Sequence, residues 1–413
     1  MRILALGGAG AMGAAAVRAA VELPGVRSVV VADRDLAAAR RLAAALQPCR
    51  ADLTIRQLDI TDGGRLEAAL AEADAVLNTV GPYYRFGPAV LAAAIRTGTH
   101  YLDLCDDWEP TVRMLELDGE ARRSGVTAVL GMGASPGLSN LLAVLAAERL
   151  DTLHDLYTAW PVDVPDAGEE LTGPDGRPGA AAVHWMEQIS GTVAVVERGE
   201  PVRRPPLRPV TLALPGGRTG TGYTVGHPEP VTLHRSLAPG GDAACLMVVT
   251  RGTAAYLDGL RRDLDRGRLD NESAAALLAD PPTGRALTAA VRAAAFRGPG
   301  TLPPFFAAAT GLRDGRPLTV LARPAEEPPR LLADMARATG IPLALGLAQV
   351  LDGTARRPGV HPSEAVIDAR RLFRDLEPHL PGVLVEETGG PGRLGRADGT
   401  GPPSGRLRKS FGG

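Results

Sequence analysis

Residues 8–13, Gly-Ala-Gly-Ala-Met-Gly, lie between two apolar runs, and that placement constrains the chain more than any other feature. Arg2–Leu6 reads as a short buried strand, Arg27–Ala32 as a second, and Asp33 follows twenty residues after Gly13. A G-x-G-x-x-G turn from strand to helix, with an acid at the tip of the next strand, suits a dinucleotide. Gly8 permits the tight turn, Gly10 lets backbone approach a pyrophosphate, and Gly13 lets the helix pack close to the strand. The helix start, with Ala11 and Met12 in its first turn, offers free N–H groups and a partial positive charge. Asp33 would accept hydrogen bonds from an adenosine ribose. It disfavours a 2′-phosphate while the adjacent Arg34 would cradle one, so NAD is the expected cofactor and NADP stays open.

The alternation continues downstream. Leu36–Leu46, Gly64–Ala73, Gly87–Thr97, Pro110–Ser124 and Leu138–Leu150 read as helices between strands at Leu53–Leu58, Ala75–Thr79, His100–Leu104 and Thr127–Leu130. Short apolar strands separated by helices predict a doubly wound parallel sheet buried on both faces. The rhythm changes after residue 150. Leu153–Val162, Val193–Glu197, Val210–Leu214, Tyr223–Val225, Val231–His234 and Ala244–Thr250 read as strands of a mixed or antiparallel sheet. Phe305–Gly311 and Pro317–Arg323 form a hairpin around Arg313-Asp314-Gly315, and helices at Thr253–Arg266, Ser273–Leu278 and Ala286–Phe296 cover one face. The predicted class is α/β: an N-terminal Rossmann doubly wound parallel sheet (1–150) with a second α+β domain built on a mixed/antiparallel sheet (151–330). C-terminal helices (331–388) pack back on the first domain, the last one starting at Gly359–Ser363. Residues 165–179 read as a loop or lid and 389–413 as a disordered tail.

A net charge of −2 and the lack of a basic stripe argue against a nucleic-acid partner. No apolar run is long enough to cross a bilayer, and a strand beginning at residue 2 leaves no room for a leader, so a cytoplasmic protein is expected. Three widely spaced cysteines predict neither a disulfide framework nor a metal site. The only lysine is Lys409, in the tail, which excludes Schiff-base and lysine-base chemistry from the folded domains.

Ligands of such sheets sit at the carboxyl ends of the strands. Asp59-Ile60 would lie near the adenine, unless Asp59 caps a helix. Asn78 and Gly81-Pro82 would border the nicotinamide ribose. Tyr83 donates a proton, stacks on nicotinamide or packs between domains; Tyr84 and Arg85 follow it, and the arginine suits a substrate carboxylate. Asp103 is the candidate acid of the next tip, whereas Asp106 or Asp107 reads as a helix cap. Gly133–Asn140 is a second glycine-rich turn whose Ser135, Pro136 and Gly137 would meet the substrate. His227, near Glu229, is either a proton donor or part of a structural turn. His184–Glu187 reads as a helix face with Trp185 buried.

Four segments together resemble the saccharopine dehydrogenase-like oxidoreductases, closest to lysine 6-dehydrogenase-type members. They are the glycine turn, Asn78–Gly87 with Gly98-Thr-His-Tyr-Leu-Asp103, Gly133–Gly137 with Asn140, and Met335–Thr339 with Gly359–Pro362. The resemblance implies a two-domain, often dimeric enzyme that oxidises an amino-acid amine to an imine, or reduces an imine, with NAD(P). It places Gly8, Gly10, Gly13 and Asp33 at the cofactor and Tyr83 and Asp103 in the catalytic cleft. The readings left beside it are an alcohol or aldehyde oxidoreductase and a non-catalytic dinucleotide sensor.

Overall fold

Two sheets carry the chain in the computed structural model, which describes residues 1–163 and 178–390. The first has seven strands: β1 (Arg2–Leu6), β2 (Ser28–Asp33), β3 (Asp52–Gln57), β4 (Ala75–Asn78), β5 (His100–Asp103), β6 (Thr127–Leu130) and, far along the chain, β15 (Gly359–Pro362). Their order is β15-β6-β5-β4-β1-β2-β3, and every pairing is parallel. The order reverses between β1 and β4, which opens a crevice at their carboxyl ends. Every residue of β4, β5 and β6 is buried, as a sheet covered on both faces requires. The connecting helices are α1 (Ala11–Ala20), α2 (Leu36–Ala45), α3 (Gly63–Ala71), α4 (Tyr83–Thr97), α5 (Trp108–Leu115) and α6 (Asp118–Arg123), then α7 (Leu138–Ala147) after β6. The single helix read at Pro110–Ser124 is therefore two.

The second sheet comprises β7 (Thr152–Pro161), β8 (Val193–Glu197), β9 (Glu200–Arg204), β10 (Pro209–Leu214), β11 (Arg218–Thr224), β12 (Ala243–Val248), β13 (Phe306–Arg313), β14 (Arg316–Pro324) and β16 (Val383–Gly389). It is mixed: β12 and β7 run parallel and the other pairs antiparallel. The β13–β14 turn places Asp314 and Gly315 at φ 50° and 69°, as a primed hairpin turn demands. The helices here are α8 (Ala180–Gln188), α9 (Glu229–Leu237), α10 (Arg251–Asp265), α11 (Asn271–Ala279) and α12 (Thr283–Arg292). The strand expected at Val231–His234 lies inside α9, because Pro228 and Pro230 start a helix there.

The C-terminal segment does more than add helices. After α13 (Met335–Leu351) it returns β15 to the first sheet, then α14 (Ala369–Leu376), then sends β16 to the second. The helix expected to begin at Gly359 is thus a strand, fixed by the pairing of Val360 with Ala128 and His361 with Val129. Helix α13 does meet the first domain: a Cβ at Gly340 would lie 2.5 Å from the Met12 carbonyl oxygen. On β14, the nearly buried Arg323 guanidinium reaches Glu386 of β16 at 2.5 Å and Glu327 at 2.7 Å, tying the last strand down. Residues 165–177 and the tail from 391, Lys409 included, lie outside the described residues. Among those described, no helix is long and apolar enough to cross a membrane.

Candidate functional site

The glycine turn divides its work among four residues. Gly7, at φ +69°, takes the left-handed conformation that had been expected of Gly8. Gly8 and Gly13 are contact positions: a Cβ at Gly8 would lie 2.9 Å from the Ala5 carbonyl oxygen, and one at Gly13 only 2.2 Å from that of Gly7. At Gly10 a Cβ would meet nothing closer than the Gly7 oxygen at 3.3 Å, so that position is bare toward the crevice. Gly10 is also the N-cap of α1 and has no side chain to satisfy the first-turn N–H groups of Ala11 and Met12. Asp33 braces the turn, its carboxylate accepting the Ala9 N–H at 3.1 Å and the Asp35 N–H at 3.0 Å. Arg34 is exposed beside it.

Farther along this edge, Asp59 is exposed and Ile60 half-buried. The Thr61 backbone N–H and hydroxyl, at 2.9 and 2.7 Å, hold the Asp59 carboxyl below its ordinary range. The cap of α3 is Asp62, which accepts the Arg65 N–H at 3.1 Å.

Tyr83 and Asp103, expected to face the gap, are instead inside the tips of the sheet. The buried Tyr83 hydroxyl donates to the Asn78 carbonyl at 2.8 Å and accepts the Leu104 N–H at 3.2 Å. Asp103 is fully buried; its Oδ1 accepts the N–H groups of Gly131 at 2.8 Å and Cys105 at 3.1 Å, and its Oδ2 the Tyr101 hydroxyl at 2.9 Å. Burial pushes the Asp103 carboxyl up to about 6 despite those donors. The Asn78 amide closes the network by donating to Tyr101 at 2.9 Å. These hydrogen bonds turn the side chains of Tyr83 and Asp103 inward and link the residues that follow β4, β5 and β6. Gly81 is exposed, and Pro82 is the N-cap residue of α4.

The β6–α7 turn differs in a similar way. Leu138 and Ser139 donate their N–H groups to Gly133 and Ala134, and the Gly137 N–H is taken by Asn140 Oδ1 at 3.1 Å. Pro136 packs on Gly131, where a Cβ would lie 2.6 Å from its Cγ. Of the residues expected to meet the substrate, Gly137 thus has its N–H satisfied within the turn. Ser135 is the residue that looks outward, its hydroxyl donating to Glu229 and lying 3.4 Å from His227 Nδ1.

Two clusters join the domains here. In the first, Glu229 is fully buried at the start of α9; its Oε1 also accepts the Ser139 hydroxyl at 3.0 Å, and its Oε2 stands 3.4 Å from His227 Nδ1. Burial opposes both charges, but the opposite charge of the partner and neighbouring hydrogen bonds act against it, so His227 is raised and Glu229 lowered. The His227 ring stacks on Trp160 with centroids 5.2 Å apart. In the second, Asp106 and Asp107 face His184 of α8, whose Nε2 lies 2.5 Å from Asp107 Oδ1. Burial disfavours the imidazolium, yet the two carboxylates raise it to about 10. Asp107 does stand at the N-cap of α5, as read from the sequence, but its side chain makes no cap hydrogen bond and turns to His184 instead. Tyr84 stacks on His184 at 6.2 Å, while Arg85 is exposed and lies over the Phe86 ring. Sequence reasoning gave Asp107 only a cap, His184 only a helix face, Glu229 only a place near His227 and Trp160 no role, since the partners that join them are brought in by the fold.

Residues 3–129 match the saccharopine dehydrogenase NADP-binding domain. Over 127 residues the chain is 33% identical to a saccharopine dehydrogenase (NADP(+), L-glutamate-forming) of Saccharomyces cerevisiae, covering 31% of this chain and 26% of that protein. Over 106 residues it is 33% identical to a trans-acting enoyl reductase of Mycobacterium leprae, covering 25% of each. The chain thus spans about a quarter of the length of these curated relatives. A solved structure of apo saccharopine dehydrogenase (L-Glu forming) from Saccharomyces cerevisiae superposes with a TM-score of 0.58 at 18% identity, covering 94% of this chain and 99% of that one. The two share a fold. With its bare Gly10 and its uncapped helix start, the segment 3–129 is thus similar in sequence to the saccharopine dehydrogenase NADP-binding domain.

Proposed function

We propose that the protein is an NAD(P)-dependent oxidoreductase acting on a carbon–nitrogen bond of an amino acid, either oxidising an amine to an imine or reducing an imine. The observation that carries this reading is the buried His227–Glu229 pair, which the second domain presents to Ser135 beside the crevice. Ala11 and Met12 N–H groups hold the pyrophosphate, and Asp33 and Arg34 meet the adenosine end. When bound, NAD(P) supplies or accepts the hydride. An iminium carbon already carries positive charge, so the site needs a fixed negative charge more than a strong acid. Glu229 provides it, and His227 holds or moves the proton of the substrate nitrogen. Tyr83 and Asp103 act as positioning residues. A cytoplasmic homodimer is part of the proposal, as the resemblance implies.

The test follows nicotinamide absorbance with NADP(H) and NAD(H) against lysine, ornithine, saccharopine and imine-forming amine–carbonyl pairs. Turnover should appear with an amine or imine and fall at least a hundredfold in His227→Ala. Turnover of alcohols or aldehydes alone, without need of an amine, sinks the proposal, as does tight cofactor binding with no hydride transfer. The identity to an enoyl reductase favours a second reading, reduction of a carbon–carbon double bond. An α,β-unsaturated carbonyl compound in the same panel separates the two.

A further inference from the structure

We propose that Asp106, Asp107 and His184 form a binding site for a divalent transition-metal ion, of the zinc or manganese class, joining the two domains at the rim of the cleft. The proposal is independent of the reaction. Asp106 and Asp107 follow β5 of the first sheet, and His184 projects from α8 of the second domain. One ligand atom from each falls within 4.8 Å of the others; His184 Nε2 is 2.5 Å from Asp107 Oδ1 and 3.5 Å from Asp106 Oδ1. Donors around a tetrahedral zinc ion stand roughly 3.4 Å apart, given bonds of about 2.1 Å. Small side-chain rotations suffice to bring these three to that spacing.

Hydrogen bonding alone leaves this cluster incomplete. Asp107 is only 8% exposed, yet its Oδ2 has no hydrogen-bond partner. His184 Nδ1 also has none, the nearest carboxylate being Glu187 Oε2 at 3.9 Å. A ring nitrogen bears one hydrogen at most, so Nε2 serves one carboxylate well and the other poorly. A divalent ion that displaces the His184 Nε2 proton to solvent engages both carboxylates and the imidazole nitrogen at once and offsets the charge of two adjacent acids. The surroundings hold the donors in place. Gln188 donates to the Asp106 carbonyl at 3.1 Å and to its carboxylate at 3.3 Å, and Tyr84 stacks on the His184 ring. The Asp106 side chain is 36% exposed, which leaves an approach from solvent, and three protein ligands leave a coordination position open.

His227, Glu229 and Cys245 also converge within 4.8 Å. There Glu229 Oε1 already accepts two hydroxyls and its Oε2 pairs with His227, so those groups are engaged with one another.

The experiment uses the full chain, treated with a chelator and dialysed, titrated with Zn²⁺ by calorimetry and with Co²⁺ by visible absorption. One equivalent should bind, and Asp107→Asn and His184→Ala should each weaken binding at least tenfold. Asp106→Asn, at a partly exposed position, should weaken it several-fold and guards against a folding defect in the others. Retained NADPH binding certifies the fold of every variant. Absence of Zn²⁺ binding by the wild type, or unchanged affinity in folded Asp107→Asn and His184→Ala, overturns the proposal. So does a thiolate-to-cobalt charge-transfer band, which would bring one of the free cysteines, Cys49, Cys105 or Cys245, into a ligand set that has no thiolate. Metal binding and amine turnover are read separately, so either idea can fail without the other.

Discussion

At the scale of single residues, the glycines separate binding from folding. A Cβ at Gly10 meets only the Gly7 carbonyl oxygen, at 3.3 Å, whereas one at Gly13 collides with that oxygen at 2.2 Å. Gly10→Val should therefore keep the wild-type melting temperature while losing NAD(P)H fluorescence binding by at least a hundredfold. Gly13→Ala should lower stability by about 1–3 kcal/mol; the reverse pattern would remove the pyrophosphate from this turn. Under the proposed function Asp33 meets the ribose, and charge-assisted hydrogen bonds are worth about 1.5–3 kcal/mol. Asp33→Ala should raise the NAD dissociation constant about tenfold and that of NADP less, because the exposed Arg34 still meets a 2′-phosphate. Equal losses for both would detach Asp33 from the ribose. Asp103 accepts three hydrogen bonds inside the sheet. An Asn there turns an N–H₂ group toward one of those donors, so Asp103→Asn should cost about 2 kcal/mol in urea melts. A variant as stable as wild type but catalytically dead would restore Asp103 to the reaction itself.

At the scale of elements, what was legible is what is local. The alternation of short apolar strands and helices through residue 147 can be read because each strand is a buried run and each helix has its own stripe. The glycine turn and Asp33 were readable for the same reason. Strand β15 was not: Gly359-Val-His-Pro362 has four residues, ends in proline, and is a strand only because β6 lies beside it. Val231–His234 carries β-type residues, but the prolines at its head settle it as helix. The clusters were illegible altogether, since Ser135 and Glu229 are 94 residues apart in sequence. Tyr83 and Asp103 misled because a strand-tip position does not reveal which way a side chain turns. Helix α13 offers a test at this scale. Gly340 lets its backbone touch α1, where a Cβ would stand 2.5 Å from Met12 O and 2.7 Å from Ala16 N. Gly340→Ala should destabilise the protein by about 1–3 kcal/mol and weaken cofactor binding several-fold by displacing the α1 start. Loss of stability with cofactor affinity intact would show that α13 supports the fold without shaping the turn.

At the scale of the molecule, the two domains are held together through buried polar side chains as well as apolar ones. Asn140 of α7 donates to Thr232 of α9 at 3.1 Å and to Glu364 at 2.9 Å, and Ser236 of α9 donates to Glu364 at 3.1 Å. Glu364 follows β15, so one carboxyl ties the last strand of the first sheet to a helix of the second domain. Its hydrogen-bond partners Asn140 and Ser236 are neutral, and burial pushes it from 4.5 up to about 7. The sign follows from proton binding. Between those two values the native state holds a proton that the unfolded chain has lost, so stability is full below 4.5 and declines as pH rises to about 7. At 1.36 kcal/mol per unit, the decline amounts to about 3 kcal/mol. Glu364→Gln keeps an acceptor for Asn140 and a group for Ser236 but cannot ionise. Relative to this variant, the wild type should lose about 3 kcal/mol between pH 4.5 and 8, read as a growing gap in melting temperature. A gap that stays constant across that range would mean that Glu364 is ionised and solvated, and that the seam between the domains is wetter than its packing implies.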